Sequence, residues 1–520
     1  MQEALERSRA IVAQVEAYQS AQVEKLRAKN AVVIHGVTNG LYSHVGLEKQ
    51  IRRLVAAGVE VKLAGANEIV LDWSFNGTSI HCGQKMRNLW SIICRLVNTN
   101  VLFEVGFFLG TPPHPDALQW FYEEATKMCT TGITLEGENV PLSFRNEIAD
   151  SQAQTVTAGL QYNICHFGCD QSGRVLGRMM FPISLPQQRD LEATLHTDGI
   201  GANVFICEPL NFIFDDIFFD IMKHFSAHSK HCQKVIMFKK LVQMLPTEVD
   251  VSSFLEIKTI RELNSAYNEL IFFTAILSFQ IMYIREHFDL FLKFWTAIFI
   301  LSDELHMNSI NEARDLLSSF VAEFWNLFQR TYLDDDKSIP ATTLQWHMLL
   351  HLADEVFMKG NLRQNSSAPY DKRILQWKNF GQNKAQEEVL QNVVTESMTS
   401  ILVPKEETIE ADNIVQIGNF RVNTRRMFDR WLFTKDKELI EVKTIHDSKQ
   451  FLVVKKADKA AAATFSSSIH PIWEKLYVFF YDSSTIPMEN GLITLSTEHV
   501  LCKMVRLSYY NKTIFYPLSC

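Results

Sequence analysis

The sequence predicts an α/β segment, a long helical segment and a small all-β module, in that order along 520 residues. Three observations carry this reading. Between residues 68 and 144, short alternating runs interleave with helix-like stretches, the pattern of an α/β fold. Across 215–402, apolar residues recur at three-to-four spacing almost without interruption, which predicts helices. After an acidic stretch at 404–412 the period changes to two, which predicts strands.

Taken in order, 1–29 is rich in Ala, Glu, Gln, Lys and Arg without Gly or Pro, and reads as a helix. A second helix is expected over 48–58, closed by Ala57-Gly58, with a short strand at 59–63. Residues 68–75 alternate and run into Asn76-Gly77, a hairpin-turn signal, with another strand at 78–81. The apolar run 103–109 stops at Gly110-Thr111-Pro112-Pro113, a helix is expected over 116–129, and 132–135 and 140–144 form a hairpin. In the helical stretch, 334–340 and 361–369 read as loops. Beyond the acidic linker, strands are expected at 414–422, 439–445, 451–455, 476–481, 492–496 and 500–507, in a barrel or curled sheet. Four segments follow: a lead-in at 1–66, a core at 67–245, a helical domain at 246–403 and a separate β module at 413–520.

Composition narrows the function classes. Hydrophobic residues make up 47% and charged ones 21%, with 36 Phe, so core material is ample. The balance of charge is −8, which argues against a protein that coats nucleic acid. Basic stretches at 234–240 and 421–430 are the local exceptions. Nine cysteines in a chain of this length do not make a disulfide framework. Met1-Gln2-Glu3-Ala4-Leu5-Glu6 carries acid where a signal peptide needs apolar residues. The uncharged run 270–284 is shorter than the roughly 20 residues that cross a bilayer. Arg285, Glu286, Asp289 and Lys293 then interrupt it, so a soluble intracellular protein is expected, with no membrane partner.

Several short motifs stand in series. Ser74-Phe75-Asn76-Gly77 is followed by Leu89-Trp90-Ser91-Ile92, then by Ile148-Ala149-Asp150-Ser151-Gln152-Ala153 and Cys165-His166-Phe167-Gly168-Cys169. Next come Phe219-Asp220-Ile221-Met222-Lys223 and Asn264-Ser265-Ala266-Tyr267-Asn268-Glu269-Leu270. The series closes with Trp346-His347-Met348-Leu349-Leu350-His351-Leu352 and Pro369-Tyr370-Asp371. Read singly, Asn76-Gly77 is a turn, Asp150 a helix cap, Glu269 a helix-dipole residue and the cysteines buried thiols. His347 and His351 lie one helical turn apart, a spacing that suits packing or metal chelation.

In this order and spacing the series resembles the transposases of the CACTA (En/Spm) class over roughly residues 68–520. The resemblance implies a ribonuclease-H-like mixed core, DNA as partner, and acidic side chains holding two Mg²⁺ ions about 4 Å apart. The first acid of the pattern reads Asn76 here. Asp150, Asp220 and Glu269 match the later acidic positions, with Lys223 and Ile271 departing from the family's His and Arg. Cys165 and Cys169, with His166 as third ligand type, resemble its Cys-x-x-Cys element and imply Zn²⁺, one residue wider than usual. Pro369-Tyr370-Asp371 stands where the family ends a block in Pro-Phe-Glu.

An amide cannot supply the charge of a carboxylate, so the expected function is a degenerate, catalytically silent, transposon-derived protein, nuclear and truncated at its N-terminus. It would keep DNA binding, or a protein partner on its β module. The alternatives are an active Mg²⁺-dependent transposase using Asp150, Asp220 and Glu269, and a helical scaffold with a β interaction module and no nucleic-acid role.

Overall fold

The computed structural model describes residues 32–110, 113–148, 285–327, 344–381, 384–399, 414–458 and 470–518, apart from 419, 447 and 510–511, with short pieces between these spans. The chain divides into two compact units. The first comprises 1–168, 188–209 and 365–405; the second comprises 169–187, 210–364 and 406–520.

The labelled helices are α1 (Leu47–Ala56), α2 (Gln119–Thr131), α3 (Arg285–Leu301), α4 (Ile310–Leu327), α5 (Leu344–Lys359), α6 (Ala368–Leu375), α7 (Gln386–Thr399) and α8 (His470–Lys475). In the first unit the strands are β1 (His35–Val37), β2 (Gly40–His44), β3 (Ile69–Cys82), β4 (Lys85–Leu96), β5 (Leu102–Gly110), β6 (Ile133–Leu135), β7 (Glu138–Val140) and β8 (Leu142–Ile148).

β3, β4 and β5 form an antiparallel meander, and β8 lies parallel to β3 on its other side. The strand Phe205–Cys207 continues the sheet parallel to β8, while β2 and β1 extend the opposite edge beyond β5. β3 shows why the sheet has two different faces. Leu71, Trp73 and Phe75 point into an apolar core with α1 and α2, where Phe121 and Tyr42 are also buried. The intervening Asp72, Ser74 and Asn76 point to the other face and are equally buried. That face is covered by α6, α7 and the turn between them, through Trp377, Val389, Leu390 and Val393.

The Asn76-Gly77 turn does not form; β3 continues through it and turns only after Cys82. A cross-strand contact overrides the local turn preference. Gly77 pairs with Trp90 on β4, and a Cβ on Gly77 would lie 2.7 Å from the indole ring. The glycine therefore makes room for a neighbouring side chain. The expected strand at 59–63 is irregular backbone, and the expected loop at 334–340 contains a hairpin, Tyr332–Asp334 with Lys337–Ile339. The helix expected over 1–29 lies outside the described residues. Gly77→Ala should lower stability by about 1–3 kcal/mol through overpacking against Trp90. Urea unfolding of the two proteins measures it, and an unchanged midpoint would refute the close-approach account.

α1 has no N-capping side chain of its own, because Gly46 occupies that position. Glu124 on α2 caps it from outside: its carboxylate accepts the Leu47 N–H at 2.6 Å and the Glu48 N–H at 3.1 Å. His44 Nε2 sits 2.8 Å from the same carboxylate. Burial alone would raise the Glu124 carboxyl. The hydrogen bonds from His44, Leu47 and Glu48 outweigh that and hold it below its ordinary 4.5. A depressed carboxyl stabilises the fold fully above its unfolded value and loses that contribution as pH falls through the folded one. Glu124→Gln should therefore cost about 1–2 kcal/mol near pH 7, and the deficit should shrink below about pH 4. Denaturant titrations at several pH values would expose a pH-independent deficit, which would exclude the charged cap.

In the second unit, α3, α4 and α5 pack through stacked rings: Phe294 on Phe320 at 4.8 Å, and Phe324 on Trp346 at 4.3 Å. The C-terminal strands are β9 (Ile414–Ile417), β10 (Phe420–Asn423), β11 (Trp431–Thr434), β12 (Leu439–Ile445), β13 (Phe451–Lys456), β14 (Phe479–Tyr481), β15 (Ile493–Ser496), β16 (Val500–Tyr509) and β17 (Lys512–Pro517). Seven of them form a mainly antiparallel sheet in the order β14-β17-β16-β11-β12-β13-β15, and β9 pairs with β10 as a hairpin. β11 and β17 had no sequence expectation, since their apolar residues are consecutive and show no alternation. The β module does not stand apart from the helices. Trp473 on α8 donates its Nε1–H to Thr296 Oγ1 on α3 at 2.9 Å, and Tyr516 on β17 meets the edges of Trp295 and Phe299.

Candidate active site

The polar face of the first unit's sheet carries Asn76 and the charged residues around it. β3 presents Asp72, Ser74 and Asn76, and their β4 partners are Arg95, Ile93 and Ser91. β8 presents Asn146 opposite Asp72, after a register shift that leaves Arg145 beside it. β5 adds Glu104, opposite Ile93. α6 lies over this face with Tyr370 and Ile374 packed on Ile93 and Ile148.

Asn76 sits mid-strand in β3, and not at a strand end as its turn-like sequence suggests. Its Nδ2–H donates to Asp371 Oδ1 on α6 at 3.0 Å. The other Asp371 oxygen accepts the Ser367 hydroxyl at 3.0 Å. The Asn76 amide thus supplies a proton to Asp371 where a carboxylate at 76 would supply repulsion. Asp72, on the same face about 13 Å along the strand, is fully buried and doubly paired. Arg95 Nη2 lies 2.6 Å from it, and Arg145 approaches through Nε at 2.9 Å and Nη2 at 2.6 Å. Two guanidinium groups on one carboxylate leave a positive balance at this spot. Arg95 also lies over the Tyr370 ring at 5.6 Å. Burial pushes the Tyr370 phenol far above its ordinary range, so it stays protonated. The Ser74, Ser91 and Tyr370 hydroxyls are buried on this face without a protein partner.

A second buried charge pair fastens the covering helices. Arg373 on α6 meets Glu104 through Nε and through Nη2, the latter at 2.9 Å from Oε2, and the Ser397 hydroxyl on α7 donates to the same oxygen at 2.9 Å. Asn146 Nδ2 donates to Asn365 Oδ1 at 2.8 Å where the chain re-enters the unit. Arg373→Met should leave Glu104 buried without its cation, costing about 3–5 kcal/mol. The double change Glu104→Leu with Arg373→Met should recover most of it, and a double-mutant cycle by chemical unfolding reads the coupling. Additive losses would show that the pair does not act as a unit.

Of the residues expected from the sequence, Asn76 is placed as described. Asp150, Asp220 and Glu269, with Cys165, His166 and Cys169, lie outside the described residues. β8 ends at Ile148, two positions before Asp150. Asp371, Asp72 and Glu104 carry the negative charge on this face among the described residues, and none was among the expected site residues. The signal for Asp371 was its place in Pro369-Tyr370-Asp371. Among the described residues, no group of three or more His, Cys, Asp and Glu is arranged to hold a metal ion. His347 and His351 on α5 are buried with Nε2 atoms 3.1 Å apart. Two imidazoles on a tetrahedral zinc would sit about 3.3 Å apart, so this pair suits either a shared hydrogen bond or two ligands of one ion. Among the described residues, no helix is long and apolar enough to cross a membrane.

No protein-family model matches the chain, and the search of curated proteins gives no match. Among solved structures, the Drosophila P element transposase strand transfer complex is a distant neighbour. It is 12% identical, with a TM-score of 0.37 over 67% of this chain and 84% of that one.

Proposed function

We propose that this chain is a transposon-derived protein of CACTA type, with a ribonuclease-H-like core that no longer catalyses strand cleavage and still binds duplex DNA. The hydrogen bond from Asn76 to Asp371 carries the reading. Its setting supports it: an antiparallel meander extended by two parallel strands beyond its first strand, with helices on both faces. That is the arrangement expected of a ribonuclease-H-like core. In this reading Asn76 stands for the first acid, Asp150 for the second and Asp371 for the third. Pro369-Tyr370-Asp371 is the block that resembles Pro-Phe-Glu, and its helix brings the carboxylate to Asn76.

Two-metal chemistry needs enough negative charge to hold two dications beside a polyanion. Here one acid is an amide, and the nearby Asp72 is already neutralised by Arg95 and Arg145. The residues present therefore fit a Mg²⁺ pair poorly, and no cleavage step is assigned to them. A structural zinc at Cys165, His166 and Cys169 belongs to the same reading, and the zinc content of the purified chain tests it. Nuclear residence also belongs to it, and imaging of a tagged chain tests that.

The native chain should show no Mg²⁺- or Mn²⁺-dependent nicking or joining in single-turnover assays with pre-nicked duplex ends. Asn76→Asp places a second carboxylate against Asp371, so this variant should melt below the native protein without metal and recover with Mn²⁺. The native melting temperature should be indifferent to Mn²⁺. Metal-dependent cleavage by the native chain, abolished by Asp371→Ala, would overturn the silent reading.

A further inference from the structure

The search for a DNA-contacting surface leads to the C-terminal β module. Residues 413–520 carry 15 Lys and Arg against 10 Asp and Glu, a balance of +5 in a chain whose total is −8. The excess is confined to 421–456, which holds 10 of those cations and 5 of the anions. Residues 457–520 are balanced. The module thus concentrates positive charge within one stretch, from the end of β10 to the end of β13.

The structure gathers part of that charge at one end of the sheet and fixes it there. Arg425 and Arg426 lie side by side, both exposed, in the loop 424–430 between β10 and β11. The Arg425 N–H donates to Asn423 Oδ1 at 3.0 Å, the Arg426 N–H to the Asn423 carbonyl, and the Asp429 N–H to the Arg426 carbonyl. Beneath the loop, Lys503 and Asp429 form a fully buried pair at 3.1 Å, and Lys503 Nζ also donates to the Arg421 carbonyl. A buried ion pair is not needed to stabilise a β module, and an apolar pair would serve as well. It ties the loop to β10 and β16, because Lys503 on β16 bonds both Asp429 in the loop and the Arg421 carbonyl on β10. Arg430 and Lys443 flank Glu441 at 3.6 and 2.6 Å, and Lys455 pairs across from Glu441 on β13. Three cations around one acid extend the positive region from the loop onto the half-exposed face of β12 and β13.

We propose that the loop 424–430 and the adjoining face of β12 and β13 form the surface that takes the phosphate backbone of duplex DNA, with Arg425 and Arg426 as its principal contacts. This rests on the proposal that the chain retains DNA binding. Phosphate is the ligand chemistry that the surface matches. It is cationic over a span of several residues, its guanidinium groups donate in a fork suited to phosphate oxygens, and the loop is held in place before binding. Contacts of this kind position a protein on duplex without reading sequence.

The test uses the full chain and a fluorescein-labelled 30-base-pair duplex of mixed sequence, with anisotropy read over a series of salt concentrations. Each phosphate contact contributes about 0.9 to the slope of log affinity against log salt. Arg425→Glu with Arg426→Glu should weaken binding at least tenfold at low salt and lower the slope by about 2. The milder Arg425→Gln with Arg426→Gln should lower the slope by the same amount with a smaller loss of affinity. Charge reversal at exposed Lys85 and half-exposed Arg87, on the β3–β4 hairpin of the first unit, should change neither. Native binding that both arginine variants retain, with unchanged slope, overturns the surface while leaving DNA retention intact. A native chain that binds no duplex at low salt overturns the retention reading itself. Binding of acidic polyglutamate with equal affinity and no preference for duplex would also overturn the assignment, in favour of an acidic protein partner.

Discussion

The first unit depends on how residues 365–399 are held against a sheet from which residues 210–364 separate them in sequence. Apolar contacts supply most of the attraction, through Trp377, Val389, Leu390 and Val393. Such contacts are not directional and tolerate sliding. The Glu104–Arg373 pair is directional and buried, and both groups need their partners because an unpaired charge in that position is costly. Once Arg373 is fixed to β5, helical geometry sets Tyr370 three residues earlier over Ile93, and Asp371 within reach of Asn76. The placement of Tyr370 and Asp371 on this face follows from that register.

The electrostatics of the face run opposite to those of a metal site. Metal-dependent phosphoryl chemistry concentrates carboxylates that repel one another until dications arrive. Here each carboxylate among the described residues already has a protein partner: Asp72 two arginines, Glu104 an arginine and a hydroxyl, Asp371 an amide and a hydroxyl. The face is therefore stable without ions. A dication approaching Asp72 would have to displace two guanidinium groups, each held by charge-assisted hydrogen bonds of 2.6 Å.

The alternation in β3 was legible because period-two burial leaves its mark on every residue, and Trp73 and Phe75 announce the apolar face. The turn assigned to Asn76-Gly77 was a local inference, and the decisive term, the Trp90 indole against Gly77, comes from a strand 13 positions later. Residues 365–399 have the same three-to-four period as the helices before them. Periodicity shows that one side of a helix is buried, but not which surface buries it, so their return to the first sheet was not visible. Asp371 lay in a block already singled out for its resemblance, whereas Glu269, matched to a later acidic position of the same pattern, lies outside the described residues. The pairs Glu104–Arg373 and Asn76–Asp371 join residues far apart in sequence, and no local pattern encodes them. In the C-terminal module, strands such as β12 and β16 were anticipated closely, whereas β11, buried at all four positions, has no alternation to recognise.

The identity of residue 76 connects stability with the chemistry proposed to be lost. Replacing a metal-binding Asp by an apolar residue of similar size would leave the Asp371 carboxylate beside a group that cannot donate to it, a buried charge short of a partner. Replacing it by Asn preserves shape, removes one charge and provides an N–H directed at the remaining oxygen. In the proposed reading, Asn at 76 in place of an acid therefore relieves the repulsion that a metal-free pair of acids would suffer. In the proposed reading, a protein that needs no cations to hold its polar face together keeps the fold, and any surface mounted on it, without catalysis. The hydrogen bond between Asn76 and Asp371 is consistent with that course, because it is the contact that makes the ion-free state the stable one.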